Sequence, residues 1–285
     1  DMDLEKFFDT VNKSMLIEIL SRTIKDNRVL SLIQRFLNAG IMDRGMFIKS
    51  EEGVPQGGPI SPLLANIILN ELDQELDKWG YRYVRYADDV LIFTKSRRAG
   101  QRQCKRASKF IEGKLKLKIN NEKTTITRLN QVKYLGYAFY RVKGKCRFRV
   151  HAKSIDKLKD KLRAVTGRSN GMSIEGRKRK LNQIIRGWVQ YFKLADMKSI
   201  MKSIDEWLRR RIRMITWKRW KKVKTKFENL QKLGVARGKA WEWANTRKGY
   251  WHIANSHILN ITLTNARFEQ QGYLSFLKYY LEVRV

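Results

Sequence analysis

The sequence predicts a mixed α/β domain with an antiparallel sheet over residues 1–150, followed by an all-α domain over residues 151–285. Before residue 150, helical spacing of apolar residues alternates with short runs that are rich in β-branched and aromatic residues. After residue 150 the apolar residues recur only with helical spacing. The boundary is therefore a change of period and composition, and no flexible linker is expected there.

The charge of the chain is also divided unevenly. The formal net charge is +34; residues 1–100 hold 14 Lys and Arg against 15 Asp and Glu, whereas residues 101–285 hold 47 against 12. Seven of the eight tryptophans lie in the basic part. Anionic lipid and nucleic acid would both attract such a surface, but basic residues interleaved with aromatic ones favour phosphate contact and base stacking. The alternative for any single tryptophan is a place in a helix core.

The composition disfavours membrane-spanning and secreted classes of protein. No apolar run approaches the length of a membrane span, and the first residues do not resemble a signal peptide. Cys104 and Cys146 match no disulfide or metal-binding pattern, which suits a reducing compartment.

The chain begins with a short predicted strand over residues 1–9 that runs into a turn. The elements predicted next are a helix over 11–37 broken near Asp26, a strand or hairpin over 41–50, a helix from Pro62 to about Trp79 capped by Ser61, strands over 81–85 and 90–94, a helix over 99–115, a strand over 116–120, and a hairpin over 132–142 and 146–150. Helices are expected over 153–166, 175–195, 203–226, 229–243 and 274–281.

Two adjacent aspartates, Asp88 and Asp89, lie between two of the predicted strands. A tight turn can aim both carboxylates at one point, whereas a flat strand cannot, because its successive side chains point to opposite faces. Two carboxylates held so close repel each other unless a cation lies between them, and that cation is usually a hard divalent one. The alternative, on these residues alone, is a polar turn of the common kind.

A glycine-rich loop precedes the helix that begins at Pro62. Gly57 and Gly58 allow the backbone to come close to a ligand, and backbone N–H groups at a helix start can bind phosphate. Lys123 lies in a predicted turn. With Asp3 on the first strand and the aspartate pair, these features supply the parts that metal-assisted phosphoryl transfer to a growing strand requires.

Four motifs occur in the order and spacing of bacterial group II intron reverse transcriptases, the intron-encoded maturases. The motifs are Asp3–Phe8, Pro55–Asn66, Tyr86–Asp89 and Tyr134–Tyr137. Two later stretches, Ile185–Phe192 and Asn245–Gly249, resemble pieces of the family's thumb and maturase X region. The resemblance covers essentially the whole chain and implies a polymerase palm over residues 1–150 and a helical thumb and maturase domain over 151–285.

The resemblance also implies roles for individual residues. Asp3, Asp88 and Asp89 would bind the catalytic metal ions, with the Leu4 carbonyl as a further ligand at the nucleotide site. Phe8 would be the steric gate that excludes a 2′-hydroxyl on the incoming nucleotide.

Three further sets of residues receive roles. Lys123 would lie near the triphosphate and protonate the departing pyrophosphate. The residues that would line the nucleotide pocket are Gln56, Gly57 and Gly58. Those that would grip the primer end are Leu135, Gly136 and Tyr137. A basic run with few acids to balance it favours a polyanion, and the RNA-binding candidates within it are Arg209, Arg210, Arg211, Arg213, Lys218 and Arg219.

The resemblance implies an RNA-directed DNA polymerase that uses two Mg²⁺ ions, or Mn²⁺, with dNTPs, an RNA template and a DNA or RNA primer. It also implies binding of group II intron RNA through backbone and shape contacts, assistance to splicing, and a role in retrohoming in the bacterial cytoplasm, associated with RNA or the nucleoid. The sequence begins at Asp1 within a predicted strand, so a fragment without the family's N-terminal fingers region is expected. No Cys/His cluster follows the thumb, as in members without a zinc-dependent endonuclease domain.

Two other functions stay open. One is an RNA-binding module that keeps the maturase surface without polymerisation. The other is a relative recruited to host defence or repair with the same chemistry. A metal enzyme that acts on something other than nucleic acid is disfavoured by the basic charge beyond residue 100.

Overall fold

The computed structural model describes residues 1–43, 46–48, 53–55 and 58–284. The chain divides into two compact units, an N-terminal unit of residues Asp1–Val132 and a C-terminal unit of residues Lys133–Val285. The first combines helices with short antiparallel strands, and the second begins with a three-stranded sheet and is otherwise helical. The predicted fold class, mixed α/β with a helical C-terminal part, is confirmed. The division falls before the last hairpin, whereas the predicted boundary followed it.

The N-terminal unit contains five helices and four strands among its described residues. They are α1 Phe7–Thr10, α2 Lys13–Thr23, α3 Asn27–Asn38, β1 Ile41–Asp43, β2 Met46–Ile48, α4 Ser61–Lys78, β3 Arg82–Tyr86, β4 Asp89–Phe93 and α5 Arg97–Gly113. The break predicted near Asp26 is confirmed, because the Asp26 carboxylate accepts a hydrogen bond from the Arg28 N–H at 2.8 Å and starts a new helix.

Helix α4 forms the centre of the N-terminal core. Leu64, Ile68, Leu72 and Leu76 recur every fourth residue on one buried face, and complete burial of each such side chain is worth about 1.5–3 kcal/mol. Leu63 is 62% exposed, because it lies a step of about 100° around the helix from Leu64.

The start of α4 differs from the prediction. Ser61 is the first helical residue and not the N-cap, and Ile60 at the cap position makes no side-chain capping bond. The buried Ser61 hydroxyl instead donates a hydrogen bond to the Pro55 carbonyl at 2.6 Å. This serine therefore ties the glycine-rich segment to the helix that follows it.

Residues 1–5 run as an extended segment between β4 and residues 118–125. On one side, the backbone N–H and carbonyl of Met2 bond to those of Val90 at 2.9 and 3.3 Å. On the other side, the Asn120 N–H donates to the Asp3 carbonyl at 2.9 Å, and Leu4 is bridged to Ile119. The predicted strand over 116–120 is reduced to this bridge at Ile119, since Lys116 takes a φ of 56°, which is outside the extended region.

The C-terminal unit begins with an antiparallel sheet and continues as helices. Its elements are β5 Lys133–Tyr134, β6 Tyr137–Val142, β7 Lys145–Val150, α6 Ala152–Val165, α7 Ile174–Phe192, α8 Lys198–Arg219, α9 Val223–Lys232, α10 Arg237–Ala244, α11 Tyr250–Ile253, α12 His257–Thr262, α13 Asn265–Gln270 and α14 Phe276–Val283. The single helix predicted over 203–226 is wrong, because α8 ends at Arg219 and α9 starts a new axis at Val223.

Helix α8 lies at the centre of the C-terminal core, where Met201, Ile204 and Leu208 are buried. One buried acid, Asp205, lies on the same helix and caps α14. Its carboxylate accepts hydrogen bonds from the Ser275 hydroxyl at 2.6 Å and from the backbone N–H groups of Phe276 and Leu277 at 2.8 Å. Within the described parts of both units, no helix has the length and apolar content needed to cross a bilayer.

Candidate active site

The paired aspartates lie at the tip of a hairpin, as predicted. Tyr86 pairs with Asp89, which leaves Ala87 and Asp88 as a two-residue loop. Ala87 takes a φ of 52°, the left-handed conformation that two-residue hairpin loops require at this position. A residue other than glycine is uncommon in this region, so the loop must be held by contacts outside itself.

Arg85 supplies such contacts. Its Nη1 donates hydrogen bonds to the Ala87 carbonyl at 3.0 Å and to Asn66 Oδ1 at 3.0 Å. Its Nε donates to Asp73 Oδ1 at 2.8 Å, and the two side chains form an ion pair. Since Asn66 and Asp73 both lie on α4, the guanidinium joins the hairpin tip to the helix at the centre of the core.

The sequence motifs did not assign Arg85 a role. The alternation along β3 could have indicated that Arg85 points inwards. In the structure Tyr83 and Arg85 are less exposed than Arg82, Val84 and Tyr86. A cation on the inner side of a strand needs a partner, and the acids of the neighbouring helix are the natural choice.

Asp3 approaches the same hairpin from the beginning of the chain. Met2 forms an isolated antiparallel bridge with Val90, and Asp3 and Asp89 are the residues next to this bridge on the two segments. Met2, Leu4 and Val90 are buried beneath the sheet, so the two aspartates share its other face. Two acids that are remote in sequence are therefore carried by adjoining segments of the backbone.

The Leu4 carbonyl lies on the side of the hairpin. Carbonyls of alternate residues in a strand point to the same side, and that of Met2 bonds to Val90 of β4 while that of Asp3 bonds to Asn120. The Leu4 carbonyl is accordingly directed towards the Asp88 end of the hairpin.

Lys123 is brought to Asp3 by a turn that Asn120 stabilises. The Asn120 side-chain oxygen accepts hydrogen bonds from the N–H groups of Glu122 and Lys123, both at 3.2 Å. Lys123 Nζ then lies 3.5 Å from Asp3 Oδ1. Because the lysine side chain is 67% exposed, this pair adds little to stability, and it leaves the ammonium accessible to a negatively charged ligand.

The donor set fits a hard divalent cation in its chemistry. Asp3, Asp88 and Asp89 offer carboxylate oxygens and Leu4 a carbonyl oxygen, which are the ligands that Mg²⁺ and Mn²⁺ prefer. Over residues 1–43, 46–48, 53–55 and 58–284, no three His, Cys, Asp or Glu side chains are already grouped closely enough to hold a metal ion. The acids are thus positioned by neighbouring strands, and metal binding would require their side chains to converge.

Phe8 and the glycine-rich segment lie against each other. The Val54 N–H donates to the Phe8 carbonyl at 2.6 Å and the Gly53 N–H to the Val11 carbonyl at 2.9 Å. A Cβ on Gly53 would meet the Phe8 carbonyl oxygen at 2.6 Å, so only glycine permits this approach. Phe8 is half-buried and packs edge-on against Phe7.

Two of the three predicted pocket residues, Gln56 and Gly57, lie outside the described residues. The third, Gly58, packs within the protein. A Cβ there would come within 2.7 Å of the Ser61 hydroxyl and 2.8 Å of the Phe36 ring. The absence of a side chain at Gly58 therefore allows the side chains of Ser61 and Phe36 to come close to its backbone.

The predicted primer grip is a hairpin loop and not the interior of a strand. Leu135 and Gly136 link β5 to β6 with φ values of 50° and 80°, as in a type I′ turn. The Tyr137 hydroxyl donates to the Tyr191 carbonyl at 2.5 Å, and the Tyr191 hydroxyl donates to the Leu135 carbonyl at 3.0 Å. Burial raises the pKa of the Tyr137 hydroxyl above its ordinary value.

The structure argues against RNA contact by Arg209. Its side chain is buried, with 2% of the residue exposed, and burial lowers its pKa. Its Nη1 has no hydrogen-bond partner among the described residues, while its guanidinium lies 5.8 Å from the Phe268 ring. A cation in such a place supports the helix packing.

Four more of the six basic candidates hold other parts of the C-terminal unit. Arg210 stacks on Trp251 at 4.0 Å, Arg211 donates to Thr166, Arg213 donates to the Leu263 carbonyl at 2.9 Å, and Lys218 donates to the Arg168 carbonyl at 2.7 Å. Burial lowers the pKa of Arg211 and of Arg213. Of the six, Arg219 is the exposed one.

Two family models match the chain. Residues 1–139 match the family model of the reverse transcriptase (RNA-dependent DNA polymerase), and residues 155–234 match that of the group II intron, maturase-specific domain. The chain therefore carries a segment similar to reverse transcriptases followed by a segment similar to group II intron maturase-specific domains, and it is homologous to group II intron-encoded proteins. Its reverse transcriptase domain implies a requirement for a divalent metal ion in general.

Two relatives illustrate the similarity. Protein YkfC of Escherichia coli is 35% identical in an alignment of 162 positions, and the match covers 45% of this chain and 42% of that protein. The group II intron-encoded protein LtrA of Lactococcus lactis is 29% identical in an alignment of 200 positions, and the match covers 47% of this chain and 33% of LtrA. The chain thus spans less than half the length of these curated relatives.

A solved telomerase structure from Candida albicans, in complex with a telomeric RNA fragment, aligns with the whole chain at 13% identity. The alignment covers 49% of the telomerase chain with a TM-score of 0.43. Similarity at this level supports no argument about function.

Proposed function

We propose that the protein is an RNA-directed DNA polymerase of the group II intron type, which extends a primer on an RNA template with dNTPs. The supporting observation is the ion pair of Lys123 with Asp3, next to the bridge between Met2 and Val90 of the Asp88–Asp89 hairpin, within the segment that matches the reverse transcriptase family. These residues come from three distant parts of the sequence, and backbone hydrogen bonds connect the segments that carry them.

In this proposal the metal ligands are Asp3, Asp88, Asp89 and the Leu4 carbonyl, with two Mg²⁺ ions or Mn²⁺ as the cofactor. Bound divalent ions would increase the nucleophilicity of the primer 3′-hydroxyl and neutralise charge on the triphosphate. Lys123 would lie beside the phosphates and donate a proton to the departing pyrophosphate.

Further residues would position the substrates. Arg85 would fix the hairpin tip on α4 and so preserve the direction of both aspartates. Phe8 would exclude a 2′-hydroxyl, Gln56, Gly57 and Gly58 would border the nucleotide, and the Leu135–Tyr137 turn would hold the primer end.

The C-terminal unit would bind intron RNA and the template–primer duplex, and so assist splicing and retrohoming. Support comes from the match to the maturase-specific domain and from the excess of Lys and Arg beyond residue 100. A site of action in the bacterial cytoplasm, associated with RNA or the nucleoid, is part of the same proposal.

Primer extension on an RNA template tests the proposed activity. The double substitution Asp88→Asn, Asp89→Asn removes two negative charges at nearly constant shape, and we expect it to lower the extension rate at least about 10³-fold while RNA affinity stays within about twofold. Asp26→Asn is the matched control, because asparagine also caps a helix well. It should extend the primer as the unmodified chain does.

The outcomes separate the proposed activity from the RNA-binding alternative. Equal extension by the unmodified chain and the double variant would contradict the roles of Asp88 and Asp89. Absence of extension from the unmodified chain, with salt-sensitive RNA binding by both proteins, would favour an RNA-binding module without polymerisation.

A further inference from the structure

A cavity of about 260 Å³ lies within the C-terminal unit, between α7, α8, α9 and the residues around α13. Ligand pockets in proteins usually measure about 300–1,000 Å³. The cavity is therefore slightly smaller than this range and suits a single planar group, such as one nucleobase.

The floor and one wall of this cavity are apolar or aromatic. Ile212, Leu263 and Phe268 line it and are buried. Trp220 lines it while half-buried, and its ring packs edge-on against the buried Trp217 at a centroid distance of 5.7 Å. A tryptophan held in this way offers a fixed face on which a base can stack.

The charged side chains that line the cavity are all cations. Arg219 and Lys232 lie exposed at its edge. Arg177 is buried deeper, where its Nε donates to the Val165 carbonyl at 3.0 Å and its Nη2 to Asn170 Oδ1 at 2.8 Å. The described residues that line the cavity include no Asp or Glu. An anion at the edge would therefore be attracted by charges that are only partly neutralised.

We propose that this cavity binds one unstacked nucleotide of an RNA strand, with the base against Trp220 and its phosphate between Arg219 and Lys232. The inference rests on the proposed function, since it names a ligand for the unit expected to bind RNA. An apolar peptide would fit the floor but would leave the cations of the edge without partners, whereas a nucleotide satisfies both.

Binding titrations by fluorescence anisotropy test the stacking contact. The probes are a labelled twelve-residue oligoadenylate RNA and a ribose-phosphate oligomer of the same length without bases. Trp220→Leu should weaken binding of the oligoadenylate about tenfold, the loss expected for one stacking contact of 1–3 kcal/mol, and should leave binding of the abasic oligomer unchanged. Trp241→Leu is the control, because Trp241 is 58% exposed and lies outside the cavity.

A charge variant tests the phosphate contact and keeps the experiment decisive if Trp220→Leu fails to fold. The double substitution Arg219→Gln, Lys232→Gln should reduce the slope of log affinity against log salt by about 1.4, since each phosphate contact to a single strand contributes about 0.7. Lys221→Gln, Lys222→Gln removes equal charge beside the cavity without altering its lining and should leave the slope unchanged.

Four results would count against the inference. Wild-type affinity of Trp220→Leu for the oligoadenylate, or an equal loss in Trp241→Leu, would overturn the stacking site. Binding of AMP as tightly as the oligoadenylate would assign the cavity to free nucleotides. If the unmodified chain bound neither oligomer, the proposed RNA-binding function itself would fail.

Discussion

Asp3→Asn is expected to lower the rate of primer extension about 10³-fold, although the residue contributes little to stability. Asp3 lies next to the Met2–Val90 bridge, and its Oδ1 is 3.5 Å from Lys123 Nζ. Because Asp3 is a proposed metal ligand, loss of its charge would weaken metal binding. The asparagine keeps the shape of the side chain, and the exposed pair with Lys123 is worth at most about 1 kcal/mol. Single-turnover extension kinetics and thermal unfolding measure the two effects separately.

Glu5→Gln is the matched control for this substitution. Glu5 is an exposed carboxylate two residues further along the same extended segment, and alternation places it on the same face as Asp3. Its loss should change the extension rate less than about threefold. An equally large fall in Glu5→Gln would show that general negative charge, and not the position of Asp3, determines the rate.

Asp205→Ala is expected to destabilise the C-terminal unit by about 3–5 kcal/mol. The carboxylate receives three hydrogen bonds from the first turn of α14, and its removal leaves the donors of Ser275, Phe276 and Leu277 buried or half-buried without an acceptor. It also removes a negative charge near the buried guanidinium of Arg209. Urea unfolding monitored by tryptophan fluorescence reports on this unit, where seven of the eight tryptophans lie.

Two further variants serve as controls for Asp205→Ala. Asp160→Ala removes a largely exposed carboxylate from α6 and should cost less than about 1 kcal/mol. Asp205→Asn keeps one acceptor oxygen and should lose less stability than Asp205→Ala. A loss below 1 kcal/mol in Asp205→Ala would contradict the role of this acid as the buried cap of α14.

The long periodic elements of the fold could be predicted from the sequence. Helix α4 has four buried leucine and isoleucine residues at intervals of four, and the Asp88–Asp89 hairpin is bounded by β-branched and aromatic residues. The short helices α11, α12 and α13 were not predicted, because four to six residues are too few to establish a helical period.

The catalytic candidates could be predicted as residues but their surroundings could not. The pattern around Asp3 and Asp89 indicated metal ligands, whereas the contacts of Arg85 with Ala87 and Asp73 depend on how β3 packs on α4. For Arg209 the sequence suggested the wrong surroundings. A basic residue within a basic run suggests a surface, and only the packing of α8 reveals that this one is buried.

The central claim is that Asp3 and the Asp88–Asp89 hairpin hold the same divalent ion. It can be tested directly by replacing Mg²⁺ with Fe²⁺ and adding ascorbate and peroxide, so that radicals formed at the bound ion cut the nearby backbone. Mass spectrometry then identifies the cut positions. We expect cuts around residues 2–5 and 86–90 that excess Mg²⁺ suppresses and that Asp88→Asn, Asp89→Asn abolishes. Cuts that are absent from either segment, or that persist in the double variant, would contradict the claim.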